Sequence, residues 1–261
     1  MRKHARNLSF SWSQPQPPYE LITDAQAQAY REAGGFVLTD AFTRGEIAAL
    51  CAALDPLADA ANAFLAQIPE AQPSIARQDE IVFRPHVVRE SAAARQFAGH
   101  RVFQSLCRDL LGSPARLYWD QLVYKYPETE PEFPWHQDNG YTYVEPQQYL
   151  TCWVALTDAD ENNGCPWIAE GLHREGTLHH RWTTLGFDCL AGHEVRARAL
   201  PVTAGSVAVF SSLTPHRTGP NSTRSCRKAY ILQYAPDGAK VFPREGEPYL
   251  ANDAELQFVV A

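Results

Sequence analysis

The order of apolar and polar positions divides the chain into a helical first part and a β-rich remainder. A capping residue, Thr23 or Asp24, opens a predicted helix that continues to about Ala33. The glycine pair at 34–35 ends this helix, because glycine accepts the left-handed conformation that follows a helix terminus. The apolar run at 36–38 then predicts a short strand.

Two longer helices are predicted before residue 115. Thr43 and Glu46 form a capping box ahead of a run rich in Ala and Leu, and we expect Pro56 to end or kink the helix that follows. Residues 91–111 carry apolar side chains on one helical stripe, which predicts another long helix that ends at Gly112.

From residue 117 onward, short apolar runs alternate with turn residues. Together with 81–83, these runs predict strands at 117–126, 133–138, 149–156, 168, 195–202, 206–210 and 228–234. Helices followed by many short strands indicate the α+β class with a sandwich or barrel core. We predict a double-stranded β-helix, or jelly-roll, with N-terminal and flanking helices.

These elements predict a single domain over residues 21–261. Its helical part covers about 21–115, its jelly-roll core about 116–236, and a C-terminal extension 237–261. Residues 1–20 begin basic and become rich in Gln and Pro, which predicts a flexible N-terminal tail.

Composition narrows the classes of function. The 261 residues are 45% hydrophobic and carry a net charge of −7, which allows one sizeable core and offers nucleic acid no basic patch. No apolar run approaches the length that spans a bilayer, and no secretory signal is visible. The six cysteines form no Cys-x-x-Cys pair, so we expect a cytoplasmic protein without disulfides or a membrane partner.

Three residues of the β-rich part form a candidate metal site. His136 and Asp138 are two positions apart, so on a strand their side chains leave from the same face. His216, from a distant strand, completes two imidazoles and one carboxylate. This set matches the 2-His-1-carboxylate triad of non-haem Fe(II) oxygenases, which leaves three iron positions open.

Arg227 indicates what else binds at this site. Alternation along the strand at 228–234 places Arg227 on the same face as Ala229 and Ile231, which points it inward. A buried guanidinium requires an anionic partner and can hold a carboxylate with two parallel hydrogen bonds. Lys125 and Tyr124 face opposite sides of their strand, so at most one of them points into the same pocket.

These segments resemble the phytanoyl-CoA dioxygenase family of Fe(II)/2-oxoglutarate-dependent oxygenases. The resemblance covers roughly residues 115–236, and it is most specific at 135–143 and at 216–234, where the second histidine is followed eleven positions later by Arg227. One departure is visible, because the family often has Pro-Gly-Ser-His where this chain has Glu-Gly-Leu-His at 170–173. That difference concerns the wall of the substrate pocket and leaves the iron site intact.

The resemblance implies a role for each of these residues. His136, Asp138 and His216 would bind Fe(II), while Arg227, helped by Thr218, would hold the far carboxylate of 2-oxoglutarate. It also implies that Trp153 lies near this co-substrate, that O2 is the second co-substrate, and that a C–H bond of a small molecule is oxidised, with succinate and CO2 released. We expect hydroxylation of a compound of specialised metabolism.

Other readings of the same residues remain. The pair His173 and Glu175 has the spacing of the first motif, but glycines flank it, and we expect a loop there. A jelly-roll hydrolase or isomerase with another divalent ion would need the triad and not Arg227. A non-catalytic small-molecule binding protein would be expected to lack one of the metal ligands, and this chain lacks none of them.

Overall fold

The helices lie mainly in the first half of the chain. The computed structural model describes residues 1–68, 75–112 and 114–261. The α-helices are α1 Asp24–Ala33, α2 Arg44–Leu65, α3 Ala92–Ala98, α4 Arg101–Leu111 and the single turn α5 Asp138–Tyr141. Short 3₁₀ helices cover Val87–Arg89 and Leu172–Glu175. The capping box predicted at Thr43 is formed, and Thr23, one of the two predicted caps of α1, also forms a capping box.

Each predicted run overlaps a strand whose ends are shifted, and five short strands that were not predicted also occur in the described part of the chain. They are β1 Gly35–Leu38, β2 Ile81–Pro85, β3 Ala115–Lys125, β4 Phe133–His136, β5 Tyr143–Glu145, β6 Leu150–Ala155, β7 Pro166–Ala169, β8 Arg181–Thr183, β9 Gly186–Asp188, β10 Ala197–Ala199, β11 Val207–Ser211, β12 His216–Thr218, β13 Arg227–Pro236, β14 Lys240–Phe242 and β15 Tyr249–Leu250.

Two antiparallel sheets build the core. The larger has the strand order β1-β11-β6-β13-β3-β2, and the smaller has the order β10-β7-β12-β4. Neighbours in each sheet come from distant parts of the sequence, as a jelly-roll requires. Strands β14, β15 and β5 form a third sheet, and β8 with β9 forms a hairpin. The predicted α+β class with a double-stranded β-helix core is confirmed.

Alternation along the larger sheet produces two apolar faces. The outer face packs under the helices and includes Leu122, Val154 and Leu232. The inner face turns toward the smaller sheet and includes Val123, Trp153 and Ile231. Direct register between β13 and its two neighbours stacks these inner residues side by side, so the inner face forms one continuous wall.

Two local predictions are wrong, and one of the two alternatives given for Pro56 is excluded. Helix α2 continues past Pro56, because this residue lies on the exposed side, where water can satisfy the backbone carbonyl that proline leaves unpaired. The long helix predicted over 91–111 is two helices, separated where the His100 side chain caps α4. The strand predicted over 133–138 ends at His136, and Asp138 begins α5.

Helix α2 also differs from the expectation drawn from composition. Its most apolar stretch has a mean hydropathy of 1.3, which is enough, by length and composition alone, to cross a membrane. Its buried residues instead form one stripe, Ile47, Leu50, Leu54 and Ala58, and belong to the cluster beneath the larger sheet. The stripe is the pattern of a helix packed on a core.

The segment before α1 makes specific contacts. Asn7 is buried and its side-chain amide donates to the carbonyls of Glu175 and Thr177. Lys3 forms an isolated β-bridge with Leu178. These contacts attach the first residues to the 175–178 loop, while the flexibility predicted for residues 1–20 stays a prediction.

Candidate metal centre

His136 and His216 lie opposite each other on paired strands. Strands β4 and β12 are antiparallel neighbours, and their register places these two residues directly across from one another. The centres of the two imidazole rings are 4.1 Å apart. Both residues are buried on the inner side of the smaller sheet, so residues 80 positions apart form one half of the site.

Backbone carbonyls determine which ring nitrogen each histidine offers. The Nδ1 atom of His136 lies 2.8 Å from the carbonyl oxygen of Pro134. The Nδ1 atom of His216 lies 3.0 Å from the carbonyl oxygen of Thr214. Because a carbonyl only accepts, Nδ1 carries the proton in both rings, and both Nε2 atoms keep a free lone pair. Metal-binding histidines are oriented in this way.

Asp138 completes the group from the first residue of α5. Its Oδ1 atom lies 3.7 Å from Nε2 of His216, and one ligand atom from each of the three residues lies within 4.8 Å of the others. The hydroxyl of Thr151 donates to the other carboxylate oxygen, and the side chain of Gln233 also hydrogen-bonds this carboxylate. The sequence therefore identified the right residue, although the single-strand geometry assumed for the pair was wrong.

The electrostatics of the three residues suit a divalent cation. Burial raises the pKa of the Asp138 carboxyl, and burial with the neighbouring His216 lowers the pKa of the His136 imidazole. Both shifts mean that the protein alone disfavours charge here. Two neutral nitrogen donors and one carboxylate are the donor set that a borderline divalent metal accepts. A +2 ion among them would compensate the burial of the carboxylate.

Gln137 and His180 hold the segment that carries the ligands. The fully buried side-chain amide of Gln137 donates to the carbonyls of Gly176 and Leu213. Its backbone N–H donates to Nε2 of His180 over 2.8 Å. Sequence reasoning missed the role of Gln137 and considered His180 only as a metal ligand, because nothing local connects Gln137 with a ring 43 positions away.

Arg227 lies inside the core at the first position of β13, as its alternation predicted. The side chain is fully buried, one terminal nitrogen donates to the carbonyl of Val123, and the guanidinium lies 5.1 Å from the ring centre of Trp153. Its Nε and second terminal nitrogen have no hydrogen-bond partner among the described residues. Burial lowers the pKa of Arg227 to about 10, so the guanidinium stays charged at neutral pH. Two unpaired N–H groups on a buried cation fit a carboxylate.

Lys125 is a second buried cation in the same region. The sequence did not decide whether Lys125 or Tyr124 points into the pocket. It lies directly across from Arg227 in the register of β3 and β13. Its ammonium donates to the carbonyls of Gly219 and Pro131, over 2.5 and 3.2 Å. Tyr124 points to the other face and donates to Asp55. The alternation seen in the sequence therefore sends Lys125, and not Tyr124, inward.

The two remaining predicted site residues differ in their placement. Trp153 lies on the inner face of β6 beneath the guanidinium. Thr218 is half-buried at the end of β12, directly before Gly219, whose carbonyl accepts from Lys125. Arg227, Trp153 and Lys125 thus form one buried cluster, and Thr218 lies at its border.

Two other histidines, His173 and His180, have structural roles. His173, which is buried in a 3₁₀ helix, packs edge-on against Trp12, and its Nε2 atom lies 3.2 Å from the carbonyl of Arg31. The ring of His180 lies between the backbone groups of Gln137 and Leu178. Among the described residues, His136, Asp138 and His216 are the group of ligands close enough to share an ion.

The fold and the triad together define a class: jelly-roll proteins with a buried 2-His-1-carboxylate metal site. A family model described as phytanoyl-CoA dioxygenase (PhyH) matches residues 30–229. The chain belongs to the phytanoyl-CoA dioxygenase family.

Curated relatives agree with this placement. The chain is 29% identical over 150 residues to a methylphosphonate hydroxylase of Gimesia maris, covering 57% of this chain and 56% of the relative. It is 26% identical over 152 residues to a phytanoyl-CoA dioxygenase of Arabidopsis thaliana, covering 56% and 54%. The chain thus spans little more than half the length of these relatives.

Solved structures share the fold over nearly the whole chain. A non-haem alpha-ketoglutarate-dependent carbocyclase from nogalamycin biosynthesis has a TM-score of 0.73 at 22% identity, covering 92% of this chain and 97% of the other. The EctD protein of S. alaskensis, solved with 2-oxoglutarate and 5-hydroxyectoine, has a TM-score of 0.70 at 21% identity, covering 96% and 93%. At these identities the likeness concerns the fold.

Proposed function

We propose that this protein is an Fe(II)- and 2-oxoglutarate-dependent dioxygenase that hydroxylates a C–H bond of a small molecule and releases succinate and CO2. The observation that carries the proposal is the presence of two buried features inside the same β-core. A buried triad offers two imidazoles and one carboxylate, and a buried Arg227 offers two unpaired N–H groups. Metal binding alone would not require that arginine.

Each residue has a defined task in this proposal. His136, Asp138 and His216 hold Fe(II), with their orientations fixed by Pro134, Thr214 and the Thr151 hydroxyl. That set of three contacts positions the ligands before any ion binds. When bound, the iron with 2-oxoglutarate and O2 supplies the oxidising power that no amino-acid side chain provides.

The other end of the co-substrate is held by the buried cluster. Arg227 binds the far carboxylate of 2-oxoglutarate through its free Nε and terminal N–H groups, with Thr218 as a further donor. The indole of Trp153 holds the guanidinium from below and excludes water from it. Burial strengthens these charge-assisted bonds, because water does not compete for them.

The compartment proposed is the cytoplasm. The chain's six cysteines are all free, which suits a reducing environment. Fe(II) is also retained more readily where reductants are present. The proposed partner is a small-molecule substrate.

Succinate release tests the proposal. Purified protein with Fe(II), ascorbate, O2 and 2-oxoglutarate should form succinate, and His216→Ala should abolish it. Arg198→Met, which changes a half-buried arginine that is paired with Glu170 and lies outside the cluster, should leave it unchanged. If wild type binds iron and forms no succinate with any candidate substrate, while another divalent ion supports hydrolysis, the jelly-roll hydrolase is the better assignment.

A further inference from the structure

A cavity of about 520 Å³ opens beside the triad and is lined by His136 and Asp138. It meets the inner face of the larger sheet at Trp119 and Gln121 of β3 and at Gln233 of β13. Arg227 lies at the opposite end of β13, six positions earlier. The cavity therefore occupies the side of the triad away from the proposed co-substrate carboxylate, which is where a second molecule would be oxidised.

Aromatic rings form a large part of the cavity wall, since six of its fourteen lining residues carry one. The six aromatic residues are Phe83, Tyr118, Trp119, Phe133, Tyr141 and Tyr149. Ring planes meet edge to face between His136 and both Phe133 and Tyr141, at 4.8 and 5.3 Å between centres. Flat aromatic walls around a ligand favour a flat, apolar partner, since stacked and edge-on contacts both require one.

The wall carries no cation for an anionic substrate. Apart from the proposed metal ligand His136, no Lys, Arg or His among the described residues lines the cavity. The nearby arginines are engaged outside it, Arg84 with Glu90 and Arg77 with Glu80. Residues 69–74, which the structure does not describe, contain no Lys, Arg or His in their sequence.

This wall differs from what a phosphonate would require. Phosphonates are small and doubly charged, and proteins bind such groups through Arg, Lys or backbone N–H clusters. The relatives named for methylphosphonate and 2-aminoethylphosphonate therefore do not predict the substrate of this chain. The volume falls instead within the range of about 300–1,000 Å³ that is usual for sites of drug-sized ligands.

Apart from the triad residues His136 and Asp138, the polar side chains that line the cavity are neutral. Burial raises the pKa values of the Tyr118 and Tyr149 hydroxyls, which stay protonated at neutral pH. The side-chain oxygen of Gln121 accepts from the Trp119 indole at 3.2 Å, which orients the amide and leaves its NH2 group for a ligand. Phenols and carboxamides bind hydroxyl and carbonyl oxygens, and they fix orientation without requiring charge.

We infer that the substrate is an uncharged, oxygenated aromatic or polycyclic compound that lies in this cavity against aromatic rings that include Trp119 and Phe133. The inference rests on the proposed function, because the cavity is a substrate site only if the triad performs the oxidation. It excludes phosphonates, whose charged group would have to lie inside this cavity.

Calorimetry on the anaerobic protein loaded with Fe(II) and 2-oxoglutarate tests this inference. The neutral probes are naringenin and 1-hydroxyanthraquinone, and the anionic probes are 2-aminoethylphosphonate and palmitoyl-CoA. At least one neutral probe should bind with a negative heat-capacity change, and neither anionic probe should bind more tightly than that neutral probe. Trp119→Ala should weaken the binding of the neutral probe by about tenfold or more. Trp182→Ala, which removes a half-exposed ring outside the cavity, should not change it.

The outcomes separate the two proposals. Tighter binding of an anionic probe, failure of both neutral probes, or no effect of Trp119→Ala would overturn the substrate class. Repeating the titration with a conservative Trp119→Phe variant shows whether a loss reflects the missing ring or a disturbed fold, because the phenylalanine ring should restore most of the binding. If a neutral probe binds as expected while the protein neither binds 2-oxoglutarate nor forms succinate, the proposed function fails and the preference of the cavity stands.

Discussion

Lys125 and Arg227 lie directly opposite each other on adjacent antiparallel strands, and both side chains are fully buried. Neither forms a salt bridge within the part of the chain that the structure describes. Like charges opposite each other on a sheet are unfavourable, and burial in low dielectric increases the cost. A pair of this kind is stable when an anion joins it, and the far carboxylate of 2-oxoglutarate would be that anion.

The Lys125 ammonium should make stability depend on pH. Burial, with the charge of Arg227 second and Glu132 opposing, lowers the pKa of Lys125 to about 7. Between that value and the unfolded value near 10.5, the unfolded chain carries a proton that the folded protein lacks. The free energy of unfolding of protein free of metal and co-substrate should therefore rise with pH above about 7, by at most about 1.4 kcal/mol per pH unit, and the gain is lost as pH falls through 7.

Urea denaturation of wild type and Lys125→Met between about pH 7 and pH 8.5 measures this effect. The free energy of unfolding of wild type minus that of Lys125→Met should increase as pH rises. Lys228→Met is the matched control. Lys228 follows Arg227 on β13, but its side chain points to the other face of the sheet and pairs with Asp55. Parallel pH profiles for wild type and Lys125→Met would show that Lys125 stays charged in the free protein.

Arg227 should control the affinity for 2-oxoglutarate. Replacement by Met removes two charge-assisted hydrogen bonds, so the Kd should rise by about a hundredfold, whereas Lys retains the charge without the paired geometry and should raise it by about tenfold. Anaerobic calorimetry with Fe(II) present measures both. Arg198→Met provides the control arginine. An unchanged Kd in Arg227→Met would remove the guanidinium from the co-substrate site.

The Thr151 hydroxyl should support metal binding through Asp138. It donates to the carboxylate oxygen that does not face His216, so it fixes the rotation of the ligand. Thr151→Val keeps the shape of the side chain and should weaken Fe(II) binding by about tenfold, as expected for a group that orients a ligand. A competition titration with a chelating dye gives the affinity. Exposed Thr39→Val should behave like wild type, and equal affinities for all three would contradict this role.

Gly140 should tolerate no side chain. A Cβ atom there would lie 2.0 to 2.3 Å from atoms of the His180 ring, which hydrogen bonds at both nitrogens hold in place. Gly140→Ala should lower the free energy of unfolding by about 1–3 kcal/mol through overpacking. Gly45→Ala, where the nearest atom is the Thr43 hydroxyl at 3.9 Å, should be neutral or stabilising. Urea melts compare them, and equal midpoints would mean that the ring moves freely.

The sequence was most informative where local chemistry repeats. A cap at Thr23 or Asp24 and the capping box at Thr43 predicted two helix starts, and alternation predicted the inner face of β13 with Arg227 on it. The spacing of His136 and Asp138 identified the right pair for a reason that proved wrong, since Asp138 lies on a helical turn. The ligands converge because α5 begins directly after the strand, which keeps both side chains on the inner side.

The contacts that could not be predicted from the sequence are those that depend on which strands become neighbours. Thr151 and Gln233 reach Asp138 only because β6 and β13 pair in a register that places them side by side. Lys125 meets Arg227 only because β3 lies on the other side of β13. The two strand pairings join Thr151 with Gln233, 82 positions apart, and Lys125 with Arg227, 102 positions apart, and no local period encodes them.

The central claim is that one chamber holds Fe(II) on the triad and 2-oxoglutarate on Arg227. An anaerobic titration of metal-stripped protein with Fe(II) and 2-oxoglutarate, followed by visible absorption, tests it most directly. The account predicts a charge-transfer band of the chelate in wild type, no band in Asp138→Ala at the same concentrations, and a band in Arg227→Ala only at much higher 2-oxoglutarate. Folded wild-type protein that binds iron and shows no band at any 2-oxoglutarate concentration would contradict it.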